Sequence, residues 1–242
     1  MHSTNYIIRF VLIMTTLAAI VLAALNTVLG EQHAKNEKVY NKRAILAAVK
    51  DHLEGTKKLE ELSDKEVDAL FTNNIKQVVL DMNGKVQEGM SAENIDMGKE
   101  RKKPEAERML PFYIYTNSAG KPFYILSIRG NGLWDEIWGS ISLEEDLKTI
   151  AGASFDHKGE TPGLGAEIKD NPSFPSQFTG KTIYNEQGEY TSVVVKKGAA
   201  TNPTFEVDGI SGATVTGNGV SEMLQRGIKY YEPYLNSLKT KS

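Results

Sequence analysis

Asp208-Gly209-Ile210-Ser211-Gly212-Ala213-Thr214 is a run of small residues closing on a hydroxyl, and the segment behind it has the period of a helix. Val220, Met223, Leu224, Ile228, Tyr231 and Leu235 recur at three- and four-residue steps, which predicts an amphipathic helix with its apolar stripe on a core. The run therefore sits at or near a helix N-terminus. Gly209, Gly212 and Ala213 have almost no side chain, so a bulky group can approach the backbone there without a clash. Free N–H groups and the positive end of the helix dipole favour a phosphate at such a place. These residues alone support two readings. One is an attachment point for a phosphate-bearing cofactor; the other is an ordinary helix start in which Ser211 or Thr216 caps the first turn.

Upstream the pattern changes from helix to strand. Pro111 to Thr116 and Pro122 to Ile128 are aromatic and branched runs on either side of Asn117-Ser118-Ala119-Gly120, which predicts a hairpin. Trp134 to Leu143, Leu147 to Phe155, Thr182 to Tyr184 and Tyr190 to Val195 are further strand candidates, and Pro172 to Phe178 reads as a short helix or loop. Nearer the N-terminus, Ser63-Asp64-Lys65-Glu66 is a capping box for a helix carrying Val67, Leu70 and Phe71. Gln77 to Asp81, Met82-Asn83-Gly84 and Lys85-Val86 read as a strand, a turn and a return. Gly98 to Arg108 is rich in Lys, Arg and Glu, contains Pro104 and has no apolar period, so it reads as a solvated linker. Helices and antiparallel strands in this order predict an α+β fold.

Phe10 to Leu29 contains no charge and is long enough to span a hydrocarbon core as a helix. A cleaved signal peptide usually has a shorter apolar region followed by a small-x-small site, and Asn26-Thr27-Val28-Leu29 fits that site poorly. A retained membrane anchor is expected. Behind it, Val39, Leu46, Val49 and Leu53 keep helical spacing, so Glu31 to Leu53 reads as a helix leaving the membrane. Lys35, Lys38, Lys42 and Arg43 follow the span and only Arg9 precedes it, which by the positive-inside count places the soluble part in the cytoplasm.

Composition removes several classes of chemistry. A net charge of −3 gives no basic surface for nucleic acid. With no cysteine there are no disulfides, no thiol redox chemistry and no cysteine-ligated iron–sulfur cluster in this chain. His2, His33, His52 and His157 lack metal-ligand spacing, so no metal site is expected. Gly217-Asn218-Gly219-Val220-Ser221-Glu222 begins like a dinucleotide loop, but Glu222 stands where the third glycine belongs. The chain by itself is not expected to oxidise NADH.

Three motifs carry a resemblance. Asp208 to Thr214 resembles the Asp-Gly-x-Ser/Thr-Gly-Ala-Thr flavinylation motif of the covalent FMN-binding family. His157-Lys158-Gly159-Glu160-Thr161-Pro162-Gly163-Leu164-Gly165 resembles that family's Glu-Thr-Pro-Gly-Leu-Gly loop, which lies against the flavin. Gly130-Asn131-Gly132-Leu133-Trp134 is similar to the Gly-x-Gly-Leu-Trp signature of one branch, the C subunits of sodium-pumping NADH:quinone oxidoreductases. The likeness covers roughly Leu110 to Leu235 together with the N-terminal anchor.

The resemblance implies a membrane-anchored electron carrier with FMN joined covalently to Thr214 by a separate flavin transferase, in a six-subunit complex of the bacterial inner membrane. It places the flavin domain in the periplasm, against the charge count. Asp208, Gly209, Ser211, Gly212 and Ala213 would make the turn recognisable to the transferase. Glu160 would orient its loop, Thr161 and Gly163 would meet the flavin ring edge and Leu164 its face, with Gly165 in the same cofactor-binding loop. Trp134 is either a shield for the flavin or a buried core aromatic. Pro162-Gly163 fits the two central positions of a type II turn. The expected organisation is an anchor over residues 1–30, an accessory segment with a charged linker over 31–109, and an FMN-binding domain over 110–242. Two other functions remain open at this point: the G subunit of the related ferredoxin-oxidising Rnf complex, and a non-redox membrane adaptor that binds an anion at the Ser211 helix end.

Overall fold

A computed structural model describes residues 3–55 and 57–240, with Glu31 described in its backbone only. His2 lies outside these. The chain divides into two units, residues 1–41 and 42–242. The first is occupied by α1 (Thr4–Ala47), which continues into the second. Within it, Thr4–Gly30 has a mean hydropathy of 2.4 and is long and apolar enough to cross a membrane, rising about 40 Å at 1.5 Å per residue. The helix expected after Glu31 is the continuation of this same helix.

In the second unit the capping box forms as read. Ser63 Oγ accepts from Glu66 N–H (3.4 Å), the Glu66 carboxylate accepts from Ser63 N–H (2.8 Å), and α2 (Asp64–Asn74) starts there. It runs directly into β1 (Ile75–Asp81), whose expected return strand is a single bridge between Leu80 and Val86. A short helix α3 (Met97–Glu100) follows, and then β2 (Met109–Thr116), β3 (Pro122–Asn131), β4 (Glu136–Leu143) and β5 (Ile150–His157). The five strands pair in chain order, all antiparallel, so β1 is the edge of the sheet that holds the predicted hairpin.

One sheet face is closed by helices. Two short ones, α4 (Glu167–Asp170) and α5 (Ser173–Ser176), bring Phe174 and Phe178 against Phe155 of β5, at ring distances of 5.7 and 5.0 Å. A small parallel pair, β6 (Val194–Val195) and β7 (Glu206–Val207), leads to α6 (Thr214–Lys229) and α7 (Glu232–Lys239). Every residue of the stripe predicted from Val220 to Leu235 is buried. The stripe is shared by two helices because α7 begins at Glu232 with Pro233 in its first turn, where proline needs no hydrogen-bond donor. Between them the Tyr231 hydroxyl lies 2.9 Å from Pro111 O and 2.8 Å from Ser127 O, tying the helical layer to β2 and β3.

Two expectations are corrected. Gly98 to Arg108 is a solvated linker only over Lys102 to Glu107, which are exposed; on its flanks Asp96 caps α3, Glu100 is buried, accepts from Met109 N–H (2.9 Å) and pairs with Lys103, and Arg101 donates to Gly130 O (3.0 Å). The charges of Glu100, Arg101 and Arg108 bond to backbone, which leaves no apolar period to read. Thr182 to Tyr184 and Tyr190 to Val195 are not full strands, since the first makes only isolated bridges, one of them from Tyr184 to Tyr190, and the second otherwise pairs only at Val194–Val195. Ser192 sits at φ +62°, and this left-handed residue breaks the alternation on which the longer strand depends.

Candidate functional site

Three loop segments meet at one end of the sheet. β3 and β4 are joined through Gly132 to Asp135, closed by Gly132 N–H donating to Asp135 O (2.8 Å). Because His157 lies opposite Ile137, the loop after β5 leaves from the same end, and Lys158 N–H donates to Glu136 O (3.0 Å). The third is the turn Ile210 to Ala213, closed by Ala213 N–H donating to Ile210 O (3.1 Å), from which α6 departs. Glu136 N–H and Lys158 hold the Asp135 carboxyl below its ordinary pKa.

One buried side chain ties the three together. Glu160 Oε1 accepts from Trp134 N–H (2.9 Å), Oε2 accepts from the Thr216 hydroxyl (2.6 Å), and its own N–H donates to His157 Nδ1 (3.1 Å). Glu160 and Thr216 are 5% and 1% exposed.

Over this bracket lies an exposed ledge. Trp134 is 69% exposed, and its indole N–H donates to Thr161 Oγ1 (3.1 Å). Thr161 to Leu164 forms the expected turn, with Leu164 N–H donating to Thr161 O (3.1 Å) and Gly163 at φ +73°, as the third position of a type II turn requires. Leu164 reaches Gly212, which has a φ of +75°. Beyond it, Thr214 is exposed as the first residue of α6, next to the exposed Val215.

The structure thus brings together Trp134, Glu160, Thr161, Gly163, Leu164 and Gly165 with Ser211, Gly212, Ala213 and Thr214. Asp208 and Gly209 instead engage the loop between β6 and β7: Asp208 Oδ1 accepts from Ala200 N–H (2.7 Å), and Gly209 is pressed against the Lys196 carbonyl. Trp134 is not a core aromatic. Neither candidate cap acts as one either. The N-cap is Ala213, which has no side-chain acceptor, because the left-handed Gly212 turns the chain between Ser211 and the helix. Thr216 lies inside the first turn and gives its hydroxyl to Glu160.

Residues 132–229 match the family model described as the FMN-binding domain. The C subunit of the Na(+)-translocating NADH-quinone reductase from Pseudomonas aeruginosa is 31% identical, over 92% of this chain and 90% of its own length. The same subunit from Pasteurella multocida is 30% identical, over 95% and 92%. Among solved structures, this subunit from Parabacteroides distasonis superposes with a TM-score of 0.73 at 36% identity, over 86% of this chain and 96% of that one. NqrC of Shewanella oneidensis gives a TM-score of 0.71 at 25% identity, over 85% and 99%. The chain belongs to the family of the C subunits of the Na(+)-translocating NADH-quinone reductases.

Within this C-subunit fold, the stretch matched as FMN-binding opens at Gly132 and closes at the last residue of α6. It contains all three loop segments. Sequence reasoning took Thr216 only as a possible cap, Gly132 and Leu133 only as parts of a signature, and gave Val215 no role. For Thr216 a signal existed: Thr216, Val220, Met223 and Gly227 continue the buried stripe at four-, three- and four-residue steps. Gly217 and Gly219, which mimicked a dinucleotide loop, lie inside α6, and Gly219 lets it approach the Asn131 carbonyl.

Proposed function

We propose that this chain is the FMN-bearing electron-transfer subunit of a Na(+)-translocating NADH-quinone reductase, with FMN joined to the Thr214 hydroxyl through a phosphoester bond. The observation that carries this reading is the exposed Thr214 hydroxyl at the first position of a helix whose N-cap supplies no side-chain acceptor. A phosphate there meets the free N–H groups of the first turn and the positive end of the dipole. The residues present fit the rest of the group. Trp134 and Leu164 offer apolar surface, and Thr161 and the Gly163 backbone offer hydrogen bonds to a ring edge.

When bound, FMN supplies the redox chemistry that this cysteine-free chain lacks. The chain's own residues hold and orient it. Gly212 and Ala213 keep the approach to Thr214 open, Glu160 and Gly165 fix the neighbouring loop, and Asp208 and Gly209 shape the turn that a flavin transferase reads. Attachment is a group transfer from FAD: the Thr214 oxygen bonds to the flavin-side phosphorus, the diphosphate P–O bond breaks, AMP leaves and the hydroxyl proton is released. Thr4–Gly30 anchors the subunit in the inner membrane, with residues 110–242 serving as the FMN domain on the periplasmic side among the other five subunits.

Co-expression with a flavin transferase tests the proposal. The intact chain should gain the mass of one FMN less one water, turn yellow, and fail to do either as Thr214→Ala. A parent chain that stays colourless and unmodified beside an active transferase overturns it and favours the anion-binding adaptor.

A further inference from the structure

Glu160 is a carboxylate buried without a cation. Both its oxygens accept hydrogen bonds, from Trp134 N–H and the Thr216 hydroxyl, and it forms no ion pair among the described residues. The neighbouring lysines are engaged elsewhere, Lys158 with Asp135 (3.0 Å) and Lys169 with Asp156 (2.9 Å). Room for it is made by two glycines. A Cβ on Gly132 would overlap Oε1 and stand 2.8 Å from Cδ, and a Cβ on Gly165 would overlap Oε2 and stand 2.6 Å from Thr216 Oγ1.

Burying an uncompensated carboxylate is costly, and a neutral pair of the same shape could brace three loops without that cost. The position of the charge gives it a use. It lies under the exposed ledge formed by Trp134, Thr161 and Leu164, and it grips α6 two residues beyond Thr214. A fixed negative charge beside a redox group opposes the arrival of electrons. We propose that Glu160 is a positioning residue with two separable effects: its charge lowers the reduction potential of the flavin, and its bond to Thr216 fixes the angle at which α6 presents Thr214. This inference rests on the reading of Thr214 as the FMN carrier.

The two effects are tested on the full chain, co-expressed with the transferase and purified in detergent. Glu160→Gln keeps the size and both hydrogen bonds, with the carboxamide oxygen toward Trp134 N–H and its N–H toward Thr216, and removes only the charge. Redox titration of the flavin-bearing Glu160→Gln protein, whatever its degree of loading, should show an upward shift in midpoint potential. Thr216→Val removes the bond and keeps the shape, so loading should fall and the flavin absorption bands should move; Thr216→Ser should restore both. A second readout without flavin is the apoprotein thermal midpoint, which should drop for Thr216→Val and recover for Thr216→Ser. A flavin-loaded Glu160→Gln with the parent's potential, or a Thr216→Val with the parent's loading and bands, overturns the inference alone. A parent chain that carries no flavin overturns the reading beneath it.

Discussion

A Cβ placed on Gly212 would stand 2.7 Å from Leu164 Cδ2, so the turn before α6 and the loop after β5 touch through a position that has no side chain. Gly212 also holds a φ of +75°. The tip of Leu164 can rotate away from an added methyl, but the backbone angle cannot relax so easily. Gly212→Ala is therefore expected to cost about 1–3 kcal/mol, the range for a non-glycine residue held in the left-handed region. Denaturant unfolding of the apoprotein checks this, and a midpoint equal to the parent's would contradict it.

Ser211 lies outside the helix and caps nothing. Ser211→Ala should then change stability by less than about 0.5 kcal/mol, as exposed substitutions do, rather than the ~1 kcal/mol of a lost cap. In-gel flavin fluorescence under denaturing conditions should persist in Ser211→Ala and vanish in Thr214→Ala. Peptide mass spectrometry placing the flavin on Ser211 would reverse the assignment.

Leu164 is 40% exposed, so it contributes less to the core than a buried leucine. Leu164→Ala should cost under about 2 kcal/mol, below the range for core leucines, while leaving Thr214 modified. Its flavin absorption bands should shift because the apolar edge of the ledge is gone. Identical spectra for variant and parent would remove Leu164 from the flavin's surroundings.

The loop between β6 and β7 carries a pH dependence. Hydrogen bonds to the Glu206 carboxylate from Asn202 N–H (2.9 Å) and from Thr201 N–H and hydroxyl (both 2.8 Å), with Lys196 beside it, lower its pKa from 4.5 to about 2. A depressed carboxylate pKa means that the stabilisation is fully present above 4.5 and is lost as pH falls toward 2. Glu206→Gln should be less stable than the parent near neutral pH, and the gap should close across that window. A gap that stays constant down to pH 2 would show that the ionised form is not what the loop requires.

Membrane orientation is a direct contest between two arguments. Lys35, Lys38, Lys42 and Arg43 follow the span, whereas the periplasmic placement rests on the family. Alkaline phosphatase fused behind the last residue should be active and a cytoplasmic reporter silent. The opposite pattern would place the domain in the cytoplasm.

What could be read in advance was local. The stripe from Val220 to Leu235, the hairpin on either side of Asn117 to Gly120, the Ser63 capping box and the Pro162-Gly163 turn each depend on neighbours a few residues apart, and each formed. The misreadings came where partners are distant. Arg101 finds Gly130 O and Glu100 finds Met109 N–H, contacts that pack the start of a charged stretch with no periodic mark. Thr216 and Glu160 are separated by 56 residues, so the motif showed a spare hydroxyl where the fold has a bond. Ser211 looked like a cap because cap residues are recognised by type, and only the φ of Gly212 reveals that the helix begins later.

Tyr231 reaches back to carbonyls of Pro111 and Ser127, and the stripe that covers the sheet ends at Leu235. These late residues set a timetable for biosynthesis. A ribosome that has completed all five strands of the sheet has still not made the layer that dries one of its faces, and native packing must wait until residue 235 has emerged. Until then the nascent sheet remains open, with one apolar face still exposed to whatever meets the chain as it emerges.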